Sequence, residues 1–103
     1  METSDTPNSG KLYSIDLSAP GFTITELHDS LNFPSEIEIV DNIAYLVENN
    51  LDDAGYLVNS FISMTDISEM DAPKTTIFEG ESNGEVSDIE IYSSFLFFNQ
   101  SNP

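Results

Sequence analysis

Carboxylates recur at fixed places in this chain. Glu36 and Glu38 stand two apart in Ser35-Glu36-Ile37-Glu38-Ile39, and Asp88 and Glu90 do the same in Ser87-Asp88-Ile89-Glu90-Ile91, 52 positions on. Residues at i and i+2 share one face of a strand, so each pair could offer oxygen ligands to a hard cation such as Ca²⁺. Glu38 and Glu90 are therefore candidate metal ligands. The plainer reading is the stronger one: alternation sends every second residue of a half-buried strand into solvent, where a carboxylate is at home.

Other chemistry-bearing residues are sparse. Asn49, Asn50, Asp52 and Asp53 make an oxygen-rich stretch without the Asp-x-Asp-x-Asp-Gly spacing of a calcium loop, and ordinary loop composition accounts for it. His28 is the single histidine. A general base is conceivable on residue type, but beside Asp29-Ser30 and with no nucleophile motif it reads as a surface turn residue. Cysteine is absent, which excludes thiolate chemistry and disulfides. No catalytic residue and no certain cofactor is expected.

The charge balance is extreme. Nineteen Asp and Glu face two cations, Lys11 and Lys74, for a formal net charge of −17 over 103 residues. Such a field repels phosphates and anionic lipid, so nucleic acid and membrane surfaces are not expected partners. Solubility or a salty environment explains the acidity most simply. Cation binding comes next, and mimicry of nucleic acid to capture a basic protein last. The N-terminal stretch lacks the basic and apolar regions of a signal peptide, and no apolar run approaches a membrane span of ~20 residues; a soluble chain is expected.

The elements that must position these groups are strands. Leu12-Tyr13-Ser14-Ile15-Asp16-Leu17-Ser18 matches Ile62-Ser63-Met64-Thr65-Asp66-Ile67-Ser68, 50 positions on, so two words recur in one order. Self-similarity at about 40–50 residues with period-2 patterning points to propeller blades. A flexible leader is expected over 1–10, a turn at Ala19-Pro20-Gly21, and a tail over 101–103. Strands are expected at 11–18, 22–27, 36–40, 43–47, 56–65, 74–79, 86–92 and 95–99, with turns every 8–12 residues or so and no helix. The fold class is all-β, antiparallel. Tyr92, Phe95, Phe97 and Phe98 form the most apolar block and, with Leu12, are expected at an interface between strands or chains.

Three segments carry a family resemblance: 12–20, Phe33-Pro34-Ser35-Glu36-Ile37, and Ala44-Tyr45-Leu46-Val47-Glu48-Asn49. In that order they resemble the bacterial blade repeats of six-bladed β-propellers related to the SMP-30/gluconolactonase and NHL-type groups, over residues 11–100. The resemblance implies that 36–40 and 88–92 are innermost strands, so that Glu38 and Glu90 would face a central channel. It implies about two blade-equivalents: the outer half of one blade, one whole blade, and the inner half of a third. Six blades would then need three chains, a homotrimer. Hydrolytic relatives hold a channel metal through Glu, Asn and Asp, for which Glu48 and Asn49 are the nearest candidates here. The chain departs from the pattern in placing Glu36 and Glu38 after Phe-Pro-Ser, and in lacking Phe-Pro in its second copy. The relatives also suggest a secreted or cell-surface protein should a segment precede this one, and Asn99-Gln100-Ser101 has the form of a glycosylation acceptor.

The expected function is a non-catalytic binding or assembly module acting on a protein or carbohydrate ligand. The alternatives are part of a metal-dependent lactonase-like hydrolase and an acidic decoy for a nucleic-acid-binding protein.

Overall fold

A computed structural model describes residues 7–18 and 20–101. It contains eight antiparallel strands and, among the described residues, no helix. They are β1 (Gly10–Ile15), β2 (Ile24–Leu31), β3 (Glu36–Val40), β4 (Ile43–Leu51), β5 (Leu57–Asp66), β6 (Thr75–Glu79), β7 (Glu85–Tyr92) and β8 (Phe95–Ser101). Residues 1–6 of the expected leader, Ala19 of the expected turn, and residues 102–103 of the expected tail lie outside the described residues. Gly10 and Ser101 belong to strands rather than to leader and tail.

The strands form three sheets: β1-β2, the four-stranded meander β3-β4-β5-β6, and β7-β8. Period-2 patterning explains how they stack. In β4, Ala44 and Leu46 point one way and join Leu12 and Leu31 in a buried cluster with Leu27, Ile37 and Ile67. Val47 points the other way and joins Ile62, Val86 and Ile89, with Tyr45, Phe78 and Leu96 around them. The central sheet is thus apolar on both faces and lies between the two smaller sheets.

Pairing registers recur along the chain. β3 meets β4 with Ile37 opposite Leu46, and β7 meets β8 with Ile89 opposite Phe98, both partners displaced by 52. β5 meets β6 with Ile62 opposite Phe78, and β1 meets β2 with Leu12 opposite His28, both displaced by 50. A bulge follows Leu12 and another follows Ile62. The two-residue hairpin loops Asp41-Asn42 and Ser93-Ser94 each place the first residue at positive φ, 55° and 57°, the twist that suits tight antiparallel hairpins. After β1, Asp16 Oδ1 accepts from the Ser18 amide (2.9 Å) and hydroxyl (2.7 Å). After β5, Asp66 Oδ1 does the same for Ser68, at 2.9 and 2.6 Å.

Two expectations fail in detail. The His28-Asp29-Ser30 turn is instead strand, and so is Glu48-Asn49-Asn50. Polar residues continue both strands because side chains from neighbouring strands satisfy them.

Candidate functional site

Glu48 shows how. It is wholly buried at the centre of β4. Its Oε1 accepts from Lys74 Nζ at 2.7 Å and from the Asn32 amide at 2.6 Å, while Oε2 accepts a short hydrogen bond from Ser63 Oγ. Lys74 Nζ also donates to the Ser30 carbonyl at 2.8 Å. Lys74, partly exposed, therefore ties the second sheet to the first, pairing with the buried Glu48 of β4 while bonding the Ser30 carbonyl of β2. Burying that carboxylate is tolerable only because each oxygen is paired.

Asn49 is equally occupied. Its Nδ2 donates to the Phe33 carbonyl (2.8 Å) and Ser35 Oγ (3.1 Å), and its Oδ1 accepts from Ser60 Oγ at 2.7 Å. Ser60 Oγ in turn accepts from the Val86 amide at 3.0 Å, joining the second sheet to the third. An amide ladder runs beside it: Asn32 to Asn50 (2.9 Å), Asn50 to Asn59 (2.8 Å), and Asn59 to the Gly80 carbonyl (3.0 Å). Gly80 passes so close that a Cβ there would lie 2.6 Å from the Ser60 carbonyl oxygen, which no side chain could accept without moving the backbone. Asp52 caps its own turn through the Ala54 and Tyr56 amides.

The sequence-derived metal candidates are thus placed apart in role. Glu48 and Asn49 hold sheets together with the atoms a cation would need. Glu38 lies half-buried on β3, opposite Tyr45, and Glu90 is exposed on β7, opposite Phe97. Among the described residues, three His, Asp or Glu donor atoms come within 4.8 Å of one another only at His28, Asp29 and Asp71. There the imidazole is already engaged: Nε2 faces the Ala72 carbonyl at 3.2 Å and Nδ1 accepts from the Ser30 amide at 3.2 Å. With both ring nitrogens used, the histidine has no lone pair to offer a metal. His28 is a buried strand residue at the position Phe78 takes one register repeat later, which corrects its reading as a surface turn residue.

The apolar candidates divide as well. Leu12 is buried within its own chain, so its side chain is core. Phe98 packs onto Phe78, ring centroids 4.5 Å apart, and keeps 37% of its surface exposed. Phe95 and Phe97 pair with each other on the outer face of β8, 66% and 57% exposed, beside Tyr92 at 76%. The shallow hollow lined by Ile89, Phe97, Phe98 and Asn99 lies on this same sheet. Sequence reasoning missed Glu48 as an ion-pair partner, because it closes the apolar run 43–47 and opens the polar Glu48-Asn49-Asn50.

Comparison of the chain with protein-family models, curated proteins and solved structures finds no match. Among the described residues no helix is long and apolar enough to cross a membrane.

Proposed function

We propose that this chain is a non-catalytic binding and assembly module built from β-propeller-type sheets, presenting its surface to a protein or carbohydrate ligand. The observation that carries the reading is the recurrence of register, bulge, hairpin turn and Asp-Ser turn at displacements of 50 and 52. Independent sheets have no reason to share a bulge position and a turn chemistry. Blade-type units do, because each must present the same edge and face to its neighbour. On this reading β3 to β6 are one full blade, β1-β2 the outer half of another and β7-β8 the inner half of a third.

The non-catalytic part follows from occupied chemistry. The buried carboxylate, the conspicuous asparagine and the histidine all spend their donors and acceptors on joining strands. Assays with lactones and simple esters, with and without Ca²⁺, Zn²⁺ or Mn²⁺, are expected to show no turnover. Metal-dependent hydrolysis lost in Glu38→Gln would overturn the reading. The sheet assignment is tested by nuclear Overhauser contacts in solution: Leu12 opposite His28 and Ile62 opposite Phe78 should both appear, and absence of either pairing removes the recurrence.

A further inference from the structure

We propose that the hollow where Phe33, Leu51, Leu57 and Glu85 meet, at one end of the central sheet, takes an arginine side chain carried on a basic segment of a partner protein. The inference rests on the binding-module reading and names the chemistry of its protein ligand.

Four places in the chain build the hollow. Phe33 comes from the link between β2 and β3, Leu51 from the end of β4, Leu57 from the start of β5 and Glu85 from the start of β7. An adjoining hollow shares Phe33 and Leu51 and adds Asp52 and Asp53. Phe33, Leu51 and Leu57 are half-buried and make apolar walls, while Asp52, Asp53 and Glu85 are exposed. Hydrogen bonds set these walls before any ligand arrives. Asn49 Nδ2 holds the Phe33 carbonyl at 2.8 Å, and Ser60 Oγ holds the Val86 amide, next to Glu85, at 3.0 Å. The Gly55 amide donates to the Asp52 carbonyl at 2.9 Å, closing the turn between β4 and β5. A ligand entering here has little protein to order, which lowers the cost of binding.

Shape and charge together name the occupant. A volume of about 280 Å³ stands at the small end for ligand pockets and suits one long side chain. Apolar walls accept a methylene stem while a charged head stays at the wet rim. That head is cationic. Lys11 and Lys74 are engaged by Glu26 and Glu48, so Asp53 and Glu85 meet neither lysine among the described residues. Arginine fits better than lysine, because a planar guanidinium stacks on an aromatic face such as Phe33 and bonds carboxylates through paired donors. The net charge of −17 draws basic segments to the surface as a whole. The hollow adds to that field a slot for the stem and a ring for the head.

Amide chemical-shift titration tests the site with two probes: a capped Gly-Gly-Arg-Gly-Gly peptide, and the same peptide with neutral citrulline in place of arginine. The arginine peptide should move the amides of Leu51, Leu57 and Glu85 saturably, and the citrulline peptide should bind about tenfold more weakly. Phe33→Leu keeps apolar bulk and removes the ring; it should weaken arginine binding about threefold and leave citrulline binding unchanged. Asp53→Asn with Glu85→Gln should weaken arginine binding about tenfold. Asp88→Asn with Glu90→Gln removes the same charge from other exposed positions and should weaken it by less than about twofold. Equal losses from the two double variants, shifts spread over the whole surface, or no saturable shift would each overturn the site. Such a failure with the Leu12 to His28 and Ile62 to Phe78 contacts intact removes the ligand class alone. Metal-dependent ester turnover would remove the module reading beneath it.

Discussion

Glu48 and Lys74 are the residues on which the joint between the first two sheets turns. Removing the cation leaves a buried carboxylate facing Ser63 and the Asn32 amide alone. Lys74→Met is expected to destabilise the fold by about 3–5 kcal/mol in denaturant melts, and the Glu48→Met/Lys74→Met pair to recover much of that loss. Additive losses would show that the two groups do not act together. A second residue-scale prediction concerns Asp66. Its carboxyl is held below the ordinary carboxylate range by the hydrogen bond from the Ser68 hydroxyl and then by that from the Ser68 amide. A depressed folded pKa contributes stability above the unfolded value, about 3.9, and that contribution is lost as pH falls through the folded one. Carbon-detected titration should show Asp66 moving up toward ordinary values in Ser68→Ala; an unchanged midpoint would contradict the assigned cause.

At the scale of elements, all eight strands were legible from alternation and turn residues, because half-buried β-structure writes its period directly into the chain. The ends of β2 and β4 were not. His28, Glu48, Asn49 and Asn50 look like loop until Lys74, Ser60, Ser63, Asn32 and Asn59 are brought beside them by non-local pairing. Which aromatics face inward was hidden for a similar reason. Phe97 and Phe98 are adjacent in sequence and on opposite faces in space, and only the stacking of sheets says which face is covered. Phe98→Ala should therefore cost about 1–3 kcal/mol at any concentration, through its lost packing on Phe78. Phe97→Ala, 57% exposed in the structure, should cost under about 0.5 kcal/mol. Equal losses would contradict the facing assigned to β8.

For the whole molecule the governing quantity is charge. Among the described residues two ion pairs, Lys11 with Glu26 at 3.3 Å and Lys74 with Glu48 at 2.7 Å, engage both lysines, so most of the 19 acids have no cation to meet. Screening, with a Debye length of about 10 Å at 0.1 M salt, should relieve that repulsion. The thermal midpoint is expected to rise by about 5 °C between 10 mM and 0.5 M NaCl. Ca²⁺ at matched ionic strength should add nothing further; a saturable extra rise, lost in Glu38→Gln, would restore the cation site that the strand carboxylates suggested.

The recurrence of strand register is the point on which the account rests, and contacts between paired strands in solution test it most directly. Nuclear Overhauser spectra should show Leu12 opposite His28 and Ile62 opposite Phe78, the same pair displaced by 50 residues. The presence of one pairing without the other would contradict the account.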